Sequence, residues 1–147
     1  MSPGHPDRTL VERHLYALEA AVLQLRRHAG KPLEALQDLD EAWAVQRGLQ
    51  LCAQNALDVA THLLAGAGRD APDYASALDG LGALGVLSPA LLARFRGVAG
   101  FRNILVHGYL ELDLRRVHAV LNERLDDFGE YASAVRSYLA SLGAGGS

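Results

Sequence analysis

The stretch Asp40–Ala65, DEAWAVQRGLQLCAQNALDVATHLLA, decides the fold class. It holds no proline and one glycine, and Leu49, Cys52, Ala56, Val59 and Leu63 recur at steps of three and four. That rhythm puts one apolar seam along one side of a helix far longer than a strand. Asp38, with Glu41 three residues on, supplies the N-terminal cap, and Gly66-Ala67-Gly68 provides the stop. A polar line runs along the same helix through Arg47, Gln50, Gln54, Asp58 and His62. It is either a solvated face or the wall of a cleft, with Gln54 and Asp58 as the candidate cleft residues.

The same periodicity extends to both sides. Thr9 and Glu12 have capping-box spacing, and Val11, Leu15, Leu18, Val22 and Leu25 predict a helix from about Leu10 to His28. Gly30-Lys31-Pro32 ends it, and a short helical turn is expected over Leu33–Gln37. Ala71-Pro72-Asp73 opens a short helix that Gly80, Gly82 and Gly85 weaken. Ser88-Pro89 is a cap followed by proline at the first helical position. Leu91, Phe95, Val98, Arg102, Leu105 and Tyr109 then share one stripe, which predicts one buried helix. Asp113 caps a last long helix whose apolar positions run from Leu114 to Leu142. Residues 1–8 and 143–147 read as frayed ends. No segment alternates with period two. The expected fold is all-α, an antiparallel bundle of about five helices formed by residues 1–147 as one domain.

Composition narrows the function classes. The net charge of −3 is the wrong sign for a protein that coats nucleic acid by long-range attraction, so any such contact must be local. The single cysteine, Cys52, forbids an intrachain disulfide. The first residues lack the apolar run of a signal peptide, and nothing approaches the roughly 20 apolar residues of a membrane span. A cytoplasmic protein away from the membrane is expected. His14, His28, His62 and His118 are scattered over different helices, and no histidine, cysteine or carboxylate cluster has metal-ligand spacing, so neither metal nor cofactor is expected.

Chemistry concentrates in Phe101-Arg102-Asn103-Ile104-Leu105-Val106-His107-Gly108-Tyr109. A guanidinium on a core-facing stripe is costly unless compensated, and a buried acid such as Asp58 is the natural structural partner. Asn103 and His107 are one turn apart on one face, whereas Arg102 and His107 diverge by about 140° around the axis. Either the helix ends near Gly108 and lets the histidine swing round, or a second subunit brings the missing partner.

Arg-x4-His followed by Gly-Tyr, with the Ser-Pro helix start and a long helix reading Leu-Gln-x3-Gln-x3-Asp-Val-Ala-x-His before it, resembles the HepT-like toxins of the HEPN superfamily. The resemblance spans about Leu10 to Leu139. It implies a metal-independent endoribonuclease of a toxin–antitoxin pair, acting on RNA with tRNA as the candidate target. Arg102 and His107 match the family's catalytic pair, and Asn103 matches the polar residue after the arginine. The chemistry suits them: an imidazole moves protons near neutral pH, and a forked guanidinium stabilises charge on phosphoryl oxygens. The resemblance further implies a homodimer and a nucleotidyltransferase antitoxin of the MntA type that adenylylates the motif tyrosine, Tyr109. Tyr16 and Tyr74 lie elsewhere along the chain. Two alternatives stay open: a non-catalytic helical subunit partnering a nucleotidyltransferase, and a structural helical dimer in which Arg102 makes a salt bridge.

Overall fold

The computed structural model describes residues 5–107 and 112–145. Every regular element among them is helical: α1 (Arg8–Arg26), a 3-10 turn (Leu33–Gln37), α2 (Leu39–Gly66), α3 (Tyr74–Ala83), α4 (Pro89–Phe95), α5 (Val98–His107), α6 (Leu114–Glu123) and α7 (Leu125–Gly145). The all-α bundle is as expected. The cap residues Asp38, Asp73, Ser88 and Asp113 each accept a backbone N–H from the first turn of their helices. No described helix is long and apolar enough to cross a membrane.

α2 is the central element. Its predicted seam, Leu49, Cys52, Ala56, Val59 and Leu63, is fully buried. α1 lies antiparallel against it, with His14 hydrogen-bonded to Asn55 and Leu25 packed on Gly48. A Cβ at position 48 would sit 2.6 Å from a Leu25 methyl, so this crossing needs the one glycine inside the long stretch. Arg136 on α7 pairs with Glu12 and Glu19 on α1, and closes the bundle from the other side.

Four local expectations are corrected. Asp7, not Thr9, caps α1 by accepting from the Leu10 amide, and Glu12 is engaged with Arg136 instead of completing a capping box. His62 leaves the polar line of α2 and stacks on His14 of α1, ring centroids 5.6 Å apart. α7 remains helical to Gly145, past the expected fraying point. The two helices expected over 88–109 and 113–142 are each broken, at Arg96-Gly97 and at Arg124, so the described residues form seven α-helices.

The first break has a packing cause. Phe95 and Phe101 are both buried, yet six residues turn about 240° on a continuous helix, which would point one of them outward. The chain changes direction between them at Arg96-Gly97. Phe95 then stacks on Tyr131 at 4.5 Å and meets Phe128 edge-on at 5.4 Å, while Arg94 pairs with Asp127 and Glu130 of α7. At the second break Asp126 and Asp127 enter the first turn of α7, where a helix N-terminus favours negative charge.

Tyr131 anchors this clasp: it is fully buried, and its hydroxyl donates to the Ala56 carbonyl of α2 at 2.6 Å. Burial without a nearby cation pushes its ionisation well above the ordinary tyrosine range. Tyr131→Phe keeps the ring stack and removes the hydrogen bond. We expect a loss of about 1 kcal/mol in urea unfolding with an unchanged helical signal. An unchanged midpoint would show that the hydroxyl contributes nothing.

Candidate active site

Three elements build the site. α2 presents Gln54 and Asp58 one turn apart, α3 begins with Tyr74 directly after its Asp73 cap, and α5 carries Arg102, Asn103 and His107. Arg102 is half-buried rather than sunk in the core, because Phe101 takes the inward position and leaves its neighbour at the helix flank.

The Arg102 guanidinium is held by a relay. Its Nε donates to Gln54 Oε1 at 2.9 Å, and Gln54 Nε2 donates to Asp58 Oδ1 at 2.9 Å. A carboxylate can only accept, so Asp58 fixes which way the Gln54 amide faces and turns its carbonyl toward the arginine. The expected direct pairing of Arg102 with Asp58 is thus replaced by one through a neutral amide. Tyr74 completes the seat: the guanidinium lies 5.6 Å over its ring, Gln54 Nε2 donates to its hydroxyl at 3.2 Å, and that hydroxyl reaches Asp58 at 3.5 Å. Nη1 donates to Asn103 Oδ1 at 3.3 Å, and no described residue accepts from Nη2. Among the described residues the arginine is held on the side of α2 and α3, by Gln54 and Tyr74.

Asn103 also borders a hollow of about 610 Å³ with Thr61, Pro72, Tyr74, Ala99 and Gly100. The space beside Gly100 is open, since a Cβ there would meet nothing within 4 Å. His107 is exposed at the last position of α5, one turn beyond Asn103. Tyr109 lies outside the described residues. Of the sequence-derived residues, Arg102, Asn103, Gln54 and Asp58 come together in one hydrogen-bonded group, and His107 stands beyond them on the same helix. Tyr74 was set aside as distant along the chain and proves to be part of the site. Its one local signal was a tyrosine next to a strong cap on a glycine-weakened helix, and the contact to α2 is tertiary. Among the described residues no three histidine, cysteine or carboxylate side chains gather as a metal site.

Known proteins share this architecture. A HEPN toxin of Shewanella oneidensis, solved tri-AMPylated in complex with an MNT antitoxin, superposes with a TM-score of 0.80 at 20% identity, covering 89% of this chain and 99% of that one. YutE of Bacillus subtilis, a cytosolic protein of unknown function, superposes with a TM-score of 0.81 at 21% identity, covering 92% of each chain. These likenesses define the class by fold, an all-α helical bundle. The chain belongs to the ribonuclease HepT-like family, whose profile matches residues 18–135. It is 28% identical over 109 residues to the tRNA nuclease HepT of Aphanizomenon flos-aquae, which covers 73% of this chain and 74% of that protein.

Truncating the relay tests its role. Gln54→Ala leaves a half-buried guanidinium without its acceptor and Asp58 without its donor. The variant should lose about 1 to 3 kcal/mol in denaturant unfolding. Stability equal to the parent would mean that water replaces the amide at no cost.

Proposed function

We propose that this chain is an endoribonuclease toxin that cleaves RNA through Arg102 and His107 and is silenced by a nucleotidyltransferase antitoxin of the MntA type that adenylylates Tyr109. The observation that carries the reading is the seat of Arg102: a permanent cation fixed by Gln54 and Tyr74 and, among the described residues, without a carboxylate partner, within one family motif with Asn103 and His107. In this reading the ribose 2′-hydroxyl attacks the adjacent phosphate as the P–O5′ bond breaks, leaving a 2′,3′-cyclic phosphate and a 5′-hydroxyl; His107 moves a proton in this exchange, and the guanidinium takes up the charge that builds on the phosphoryl oxygens. Asn103 holds the guanidinium fork at its rim. Arginine and histidine supply both charge stabilisation and proton transfer, so the mechanism assigns no role to a metal ion and activity should survive chelation. The curated relative's name makes tRNA the first substrate to test.

The proposed active form is a homodimer, because Arg102 and His107 diverge by about 140° on α5 and a second copy can bring the complementary partner. Motif helix α5 and the adjoining part of α2 form the proposed interface, and the cytoplasm is the proposed compartment.

His107→Ala should abolish cleavage of tRNA by the purified protein and leave the melting temperature nearly unchanged, since the side chain is exposed. Arg102→Ala should be inactive as well. An equimolar mixture of the two should regain activity if sites are shared across a dimer. A fully active His107→Ala protein would overturn the catalytic assignment.

Control should act at the same place. Transfer of AMP from ATP to the Tyr109 hydroxyl, with release of pyrophosphate, adds bulk and negative charge close to the motif. After incubation with the antitoxin, ATP and magnesium, mass spectrometry should find AMP on the Tyr109 peptide, and Tyr109→Phe should resist both modification and silencing. Equal silencing of the Phe variant would replace modification by simple binding.

A further inference from the structure

Trp43 is the only tryptophan in the sequence, and it stands 64% exposed near the start of α2. An exposed tryptophan offers a large flat π-face to a partner that can stack on it. Its place on the helix suggests which. Eleven residues separate Trp43 from Gln54, which returns it to within about 20° of the same face, about 16 Å further along the axis. Arg47 and Gln50 lie between them on that face, and Arg47 donates to Gln50 at 3.3 Å. Among the described residues Arg47 has no carboxylate partner. The stripe that ends at the Arg102 relay therefore begins with an open aromatic ring, followed by an open cation.

α5 runs along this stripe in the opposite direction. Ala99 borders the same hollow as Thr61, and Arg102 reaches Gln54, so continuing to His107 leads toward Gln50 and Arg47. We infer that Trp43 is a stacking platform for an unpaired base of the RNA substrate a few nucleotides from the cleaved bond, with Arg47 pairing the phosphate between. This rests on the ribonuclease reading of the Arg102 site. An aromatic face and a guanidinium in sequence are what single-stranded RNA requires, because every base has a π-face and every linkage a charge. The proposed dimer uses α2 near Gln54 and Asp58; at the other end of the stripe the cation Arg47 beside the Trp43 ring favours RNA over a second copy of the chain. Among the described residues, Leu39 and Trp43 are the exposed large apolar side chains at this end of α2.

The test uses the single tryptophan as its own probe. The His107→Ala protein is titrated with a labelled single-stranded RNA, following tryptophan emission and RNA anisotropy together. Emission should be quenched in step with the rise in anisotropy. Trp43→Ala in the otherwise native chain should raise KM about tenfold with a smaller change in kcat, and Trp43→Phe should recover most of the loss. Anisotropy that rises without any change in emission overturns the platform and leaves the ribonuclease reading intact. Emission that shifts on dilution without RNA, and is then insensitive to RNA, assigns Trp43 to a contact between copies and also overturns it. If the parent protein neither binds nor cleaves RNA, the ribonuclease reading fails and the platform with it.

Discussion

A guanidinium that sits half inside a protein cannot be left uncompensated, and one proposed to meet a phosphate cannot be neutralised in advance. The Asp58–Gln54–Arg102 relay satisfies both demands. The amide carbonyl supplies the acceptor that desolvation requires, while the carboxylate that orients it stays one side chain away. A direct Asp58–Arg102 pair would hold the arginine more tightly and cancel its charge. Much of the local architecture follows from this arrangement: α2 must stay regular through Gln54 and Asp58, α3 must bring Tyr74 under the guanidinium, and α5 must cross at the height of Gln54.

The core is arranged to deliver α5 at that height. Phe95, Phe128 and Tyr131 lock α4 onto α7, and the Tyr131 hydroxyl ties the cluster to α2. The break at Gly97 then frees α5 from the phase of α4, so that Phe101 turns inward and Arg102 faces the cleft flank. The likeness to HEPN toxins at about one residue in five identical is understandable on these terms. The bundle needs apolar spacing, caps and a few close approaches, and only the site needs particular side chains.

The same distinction explains what the sequence made readable. The long apolar seam of α2, the caps at Asp38, Asp73, Ser88 and Asp113, and the Arg-x4-His motif are local patterns whose physics acts within a turn or two. The breaks at Gly97 and Arg124 were hidden because apolar residues keep nearly the same spacing across them; they are fixed by where Phe101 and the first carboxylates of α7 must go. Asp7 caps α1 in place of Thr9, and Glu12 pairs with Arg136 more than a hundred residues away, a contact no local pattern shows. Tyr74 could not be placed at the site by any spacing rule, since only the packing of α3 on α2 joins it to Gln54.

Position 54 also has a genetic meaning. Glutamine and glutamate codons differ by a single base, and the two side chains are nearly identical in shape. A glutamate there would set a carboxylate against Arg102 on one side and crowd Asp58 on the other, exchanging an available cation for a satisfied one without altering the volume of the core. A lineage carrying this gene thus has, one substitution away, a folded form whose arginine is already occupied. The amide is the point at which selection against an unrestrained copy could act with the least disturbance to the rest of the protein.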